Sequence, residues 1–233
     1  MIILDFYGVP GCGKSTLSNS VASYLRTQGF IVCEPSYEID HKVTKATRRC
    51  LKIIYAILWI IKHPQKSHNI MRLICRHNLA PFNAISELIN ILYKAWYIEK
   101  YSFCDYIIFD EGITQAIISM DNSSSSSICE EIIYIEKIIG CSDNIIHIHL
   151  KEDIFVALKR MEYRESNDSR VEKEKDVVRK IKLMKFYQDL CNCVNLENSI
   201  IEYSPNCDRD SIAKMILNDI QNAKRTEKVL YER

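Results

Sequence analysis

The 233-residue chain has no apolar run able to span a bilayer: the longest, Ile53 to Ile61, falls well short of the roughly 20 residues a membrane helix needs. Nor is there an excess of one charge. Lys and Arg number 31 against 30 Asp and Glu, a formal net charge of +1, so the chain as a whole has no field to draw nucleic acid or an anionic membrane. Zinc-type C-x-x-C spacing is missing too, because the ten cysteines are scattered and only Cys191 and Cys193 lie close together. That usage fits a reduced compartment better than a disulfide scaffold. The chain opens on an apolar strand without the positive region and cleavage site of a signal peptide, and no internal repeat is visible. A soluble, cytoplasmic protein with no membrane or nucleic-acid partner is the expectation. The length suits one sizeable α/β domain, with or without an insertion.

What the sequence does have is Gly8-Val9-Pro10-Gly11-Cys12-Gly13-Lys14-Ser15, with Thr16 behind it, placed directly after the apolar run Ile2 to Tyr7. Every fixed position of G-x-x-x-x-G-K-[ST] is filled. The context agrees, since Ser15 to Arg26 reads as a helix with Leu17, Val21 and Leu25 on one face. Glycines let the backbone curl around an anion, and the helix N-terminus adds partial positive charge. Lys14 is then expected to reach the β- and γ-phosphates of ATP, and the Ser15 hydroxyl to ligate Mg²⁺.

Further along, Phe30 to Cys33 reads as a second strand ending in Glu34-Pro35, which puts Glu34 at a carboxyl end, where open α/β sheets keep ligands. Residues 41–101 carry three helical patterns: one bearing Lys42, Lys45, Arg49 and Lys52 that turns apolar up to Ile61, one from Ser67 to Asn78, and one opened by Pro81. Trp59, Tyr93, Trp96, Tyr97 and Tyr101 either line a planar ligand's pocket or form core, and core is preferred. Tyr106 to Phe109 reads as a buried strand delivering Asp110 to the top of the sheet, where a carboxylate can order water on Mg²⁺. Asp121 to Ser127 is a loop, and Ile128 to Ile139 a helix. Asn144 to Leu150 is a fourth strand whose His147 and His149 share a face; without a nearby third ligand they are read as structural. After a helix carrying Ile154, Ala157, Leu158 and Met161 comes a cluster, Arg160, Arg164 and Arg170. Its guanidinium groups either close over a phosphoryl group or form a solvated face, and the first is preferred. Residues 171–190 form a charged helix with Val177, Val178, Ile181, Met184 and Tyr187 as its buried stripe, Ser199 to Ser204 a fifth strand, and about 208–223 a last helix before a charged tail.

Strand, P-loop, helix, a strand ending in Glu-Pro, a helical insertion, a strand ending in Asp and an arginine-bearing lid together resemble the nucleoside and nucleoside-monophosphate kinases. Thymidylate kinases and deoxyribonucleoside kinases are the nearest in pattern, over about residues 1–222. The resemblance implies a P-loop three-layer sandwich: a five-stranded parallel sheet between helices, with 41–101 as acceptor-side insertion and homodimer surface, 160–172 as lid and 223–233 as tail. It implies transfer of the ATP γ-phosphoryl group, with Gly8 to Thr16 holding the triphosphate, Ser15 and Asp110 the metal, and Glu34 serving as acceptor ligand or base. Arg160, Arg164 and Arg170 match the lid, with Ser169-Arg170-Val171-Glu172 standing for Asp-Arg-x-Glu. The base would rest around 204–207. One departure is plain: the family's arginine after the acidic residue is here Glu111. That leaves open a kinase of a non-nucleotide acceptor, and, outside catalysis, a P-loop regulatory ATPase.

Overall fold

The computed structural model describes residues 1–35, 44–77, 79–120, 128–163, 171, 174–194, 196, 200–203 and 211–220. At its centre lies β1 (Ile2–Gly8), buried at all seven positions, as befits a strand covered on both faces. β1 pairs in parallel with β3 (Tyr106–Phe109) on one side and β4 (Ile145–Leu150) on the other, so that Leu4 lies opposite Ile108 and Ile146. β5 (Ile200–Tyr203) continues from β4, and β2 (Val32–Cys33) edges β3. The order is β2-β3-β1-β4-β5: four strands of four residues or more and a two-residue strand at one edge. Chain connections diverge from β1 to both sides, which makes its carboxyl end the switch point of the sheet.

Parallel pairing needs crossover helices. The first, α1 (Lys14–Thr27), buries Leu17, Val21 and Leu25 as its periodicity requires. It ends in a Schellman turn: Gly29 at φ 86° donates to the Arg26 carbonyl and Phe30 to that of Leu25. That turn takes Phe30 out of the expected strand and leaves β2 short.

The described part of the segment between β2 and β3 contains three α-helices and no strand: α2 (Lys45–Lys62), α3 (Pro64–Ile74) and α4 (Pro81–Lys100). Trp59, Tyr93 and Tyr97 are buried, and the Tyr97 ring meets Tyr55 edge-on at 5.1 Å and Tyr101 face-on at 5.3 Å. These aromatics are core, each burial contributing about 1.5–3 kcal/mol. Cys33 and Cys104 are joined in a disulfide with Cα atoms 6.6 Å apart, while the other described cysteines are free thiols. The β2–β3 pairing brings the two together, and their bond ties both ends of the helical segment to one sheet edge.

After β3 comes a helix that periodicity did not reveal, α5 (Ile113–Met120), then α6 (Ile128–Ile139), α7 (Ile154–Glu162), α8 (Val177–Cys193) and α9 over 211–220. In α8 the buried stripe is Met184, Tyr187, Leu190 and Cys191. Val177 and Val178 are exposed, contrary to the pattern, because the helix engages the core only from its third turn. No helix among the described residues is long and apolar enough to cross a membrane.

His147 and His149 are both buried. His149 stacks on Tyr7 with ring centroids 4.7 Å apart. His147 belongs to a polar chain: Thr114 donates its hydroxyl to Asp5 Oδ2 at 2.9 Å, the His147 Nδ1 lies 2.8 Å from that hydroxyl, and Nε2 lies 3.1 Å from Glu136 Oε1. Burial pushes the Glu136 carboxyl above its usual range, with His147 partly offsetting it. Between the ordinary carboxylate value and that raised one, the folded chain keeps a proton the unfolded chain has lost, so Glu136 erodes stability as pH rises through this interval. Glu136→Gln lacks that penalty. Its melting temperature relative to wild type should therefore climb as pH rises above the ordinary carboxylate value of about 4; parallel profiles would refute the assignment.

Candidate functional site

The loop from Gly8 to Ser15 crosses the carboxyl end of β1 and feeds α1. It packs directly on α7: a Cβ on Gly11 would overlap the Ala157 carbonyl and lie 2.9 Å from Met161 Cγ, and φ there is 83°. Only glycine meets both conditions without strain. Among the described residues, no backbone carbonyl takes the N–H groups of Gly11, Gly13, Lys14 or Ser15. These are the orphan donors of a helix N-terminus and its lead-in turn, and they fit an anion.

Lys14 lies inside the loop, donating to the carbonyls of Gly8 at 2.9 Å and Val9 at 3.2 Å. Burial pulls its pKa down, but Cys12, Glu111, Cys191 and Asp110 together hold it above the ordinary lysine value, so the ammonium stays charged. Ser15 Oγ donates to Asp110 Oδ2 at 2.8 Å, bringing the loop hydroxyl and the carboxylate after β3 together across 95 residues. Two hard oxygens side by side, next to orphan amides and a cation, suit Mg²⁺, which takes one or two protein ligands and completes its shell with phosphate and water. Among the described residues no group of three or more His, Cys, Asp or Glu is arranged to hold a metal ion; a magnesium nucleotide requires none.

Arg160 overhangs the loop, its Nη1 3.9 Å from where a Gly13 Cβ would stand, and its guanidinium is held by the buried Glu152 at 2.5 Å. Beside this pair is a cleft of about 440 Å³ lined by Lys151, Glu152, Asp153, Gln188 and Asn192. Arg164, Arg170 and the 204–207 loop lie outside the described residues, as do 121–127 and the tail.

Glu34 is buried, and its carboxylate pairs with Arg26 of α1 at 2.6 Å; it follows Cys33, which lies opposite Ile107 of β3. Glu111, by contrast, is exposed next to Asp110 and acts on both Lys14 and the buried Lys94 of α4.

Sequence reasoning missed three contributors. Gln115 Oε1 accepts from the Gly8 N–H at 3.1 Å, Lys94 Nζ donates to the Gly112 carbonyl at 2.8 Å, and Asp5 Oδ2 accepts from the Thr114 N–H at 3.0 Å. The one available signal was Asp5, a charge inside an apolar central strand, which must find partners.

Fold and loop together define a parallel α/β domain with a phosphate-binding motif at its switch point. The family model described as Nephrocystin 3, N-terminal, matches residues 2–111, just under half of the chain. No curated protein matches it. Solved structures similar in shape include deoxyadenosine kinase from M. mycoides with bound dCTP, 14% identical over 95% of this chain and 100% of that one at a TM-score of 0.47. The same enzyme with bound dATP is 13% identical over 94% and 100%, at 0.46. A gluconokinase from Sinorhizobium meliloti 1021 is 12% identical over 99% and 95%, at 0.43. Identities and scores of this size assign nothing to the chain.

Proposed function

We propose that the chain is a magnesium-dependent P-loop kinase that moves the γ-phosphoryl group of ATP to a small acceptor, in the manner of nucleoside and nucleoside-monophosphate kinases such as thymidylate kinase. The contact between Ser15 and Asp110, beneath a loop of unclaimed amides that encloses Lys14, carries this reading. Mg²⁺, when bound, neutralises phosphate charge; Ser15 and Asp110 would hold it. The protein's own part is positioning and charge: the amides of Gly11, Gly13, Lys14 and Ser15 bind the triphosphate, Lys14 offsets charge at the transferred group, and Arg160 approaches from the lid side, with Arg164 and Arg170 extending it.

For the acceptor, the helical segment supplies the pocket wall, and Glu111 rather than Glu34 is the carboxylate we assign to the hydroxyl proton. Glu111→Gln should lower kcat by about 10²-fold or more, the scale of general-base removal. Glu34→Gln should mainly lower the melting temperature by breaking the Arg26 pair. A fall in kcat for Glu34→Gln with wild-type melting would return Glu34 to the acceptor site. The reading includes a homodimer through α2, whose Ile53, Ile54, Ile57, Ile60 and Ile61 face solvent, and no nucleic-acid or membrane partner.

Glu111 in place of arginine favours a second acceptor class, since a carboxylate there suits an uncharged polyol better than a phosphate. ADP release measured across nucleosides, nucleoside monophosphates, sugars and other alcohols separates the two. ATP hydrolysis that ignores every acceptor but rises with a protein partner would overturn the kinase reading in favour of a regulatory ATPase.

A further inference from the structure

The stretch from Asp110 to Gln115 is held at points the phosphate-binding motif does not predict. Lys94, buried on α4, fixes the Gly112 carbonyl. Asp5, fully buried on β1, fixes Thr114 through both its N–H and its hydroxyl, using one carboxylate oxygen. The other oxygen, Oδ1, has no hydrogen-bond partner and lies tight against Gly112. At its two ends the same stretch touches the P-loop, Asp110 through Ser15 and Gln115 through the Gly8 N–H. Six residues thus bridge α4, on the acceptor side, to both ends of the nucleotide loop.

A buried ammonium and a buried carboxylate are expensive to keep, and apolar residues of similar size are often no worse for stability. Their retention here coincides with a specific geometric outcome: one peptide carbonyl and one helix N-terminus fixed on opposite sides of Gly112, two residues from Asp110.

We propose that Lys94 and Asp5 are positioning residues that set the 110–115 bridge, so that Asp110 faces Ser15 and the loop takes up a metal-nucleotide rather than nucleotide alone. This rests on reading Ser15 and Asp110 as the magnesium-holding pair. Groups that orient metal ligands typically cost 10- to 100-fold in metal affinity when removed.

The test is a Mg²⁺ titration at fixed ADP on wild type, Lys94→Met and Thr114→Val, read by calorimetry, with ADP affinity in EDTA and melting temperature alongside. Lys94→Met should raise the half-saturating Mg²⁺ concentration about tenfold or more, and Thr114→Val, which removes the hydroxyl's bonds to Asp5 and His147, by about threefold or more. ADP affinity in EDTA should change far less. A purely structural role lowers melting temperature and leaves the metal midpoint in place; coincident metal curves overturn the inference. Should Lys94→Met not fold, Thr114→Val decides by the same readout. Wild-type protein that takes up no nucleotide overturns the functional reading and this inference with it, whereas wild-type uptake with unshifted variants overturns this inference alone.

Discussion

Lys14→Met should lose about 10²- to 10³-fold in kcat, the scale for removing one preorganised charge donor from a transferring group, while melting within a few degrees of wild type. The two expectations follow from the same geometry. In the free protein the ammonium is satisfied by the carbonyls of Gly8 and Val9, and its removal leaves two acceptors short of a donor. Methionine, however, fills the same volume without the burial cost of a charge, so the losses largely cancel. During transfer nothing replaces the ammonium, because the only other described cation at the loop, Arg160, is anchored to Glu152. ATP affinity should drop by much less than kcat, since the loop amides remain. Steady-state rates with the best acceptor, together with ATP calorimetry, check this. Wild-type kcat in Lys14→Met would remove the phosphoryl-transfer assignment altogether.

The nucleotide half of the site was legible in the sequence because it is contiguous. Eight residues carry the loop, the preceding apolar run names the strand, and the spacing of Leu17, Val21 and Leu25 names the helix. Asp110 was legible for a related reason, standing at the end of a four-residue apolar strand. The acceptor half was not, because its determinants are separated by most of the chain. Glu34 was readable as a carboxylate at a strand end, but its ion pair with Arg26 was not, because that partner sits on the preceding helix. Helix α5 escaped because it is eight residues long, buried at seven of them, and so shows no polar face for periodicity to detect. With α5 went Thr114 and Gln115. Lys94 was hidden among the aromatics of α4, where a lysine next to Tyr93 reads as a solvated position until the partner 18 residues on is known.

Gly112→Ala should be the most destabilising small substitution near the site, by about 3 kcal/mol, or about 10 °C in melting temperature for a domain of this size. The backbone at Gly112 has no positive φ, so conformational freedom is not the reason for glycine. Space is: the added methyl would overlap Asp5 Oδ1 and also crowd its Cγ and Oδ2. Asp5 cannot swing aside, being fully buried with its other oxygen engaged by Thr114. The bridge must move instead, which stretches the Lys94 bond to the Gly112 carbonyl and turns Asp110 away from Ser15. Asp5→Ala alone should cost about 2–3 kcal/mol, because it strands the Thr114 donors. In the double variant the methyl occupies the vacated space, and the combined loss should fall short of the sum by about 2 kcal/mol, the coupling expected of residues in direct contact. Additive losses in chemical denaturation would mean that Asp5 does not bound Gly112 in this way. Recovery of stability in the double variant without recovery of Mg²⁺ affinity would show the two functions of Asp5 to be separable: filling space beneath the turn, and holding Thr114 so that the turn presents its aspartate.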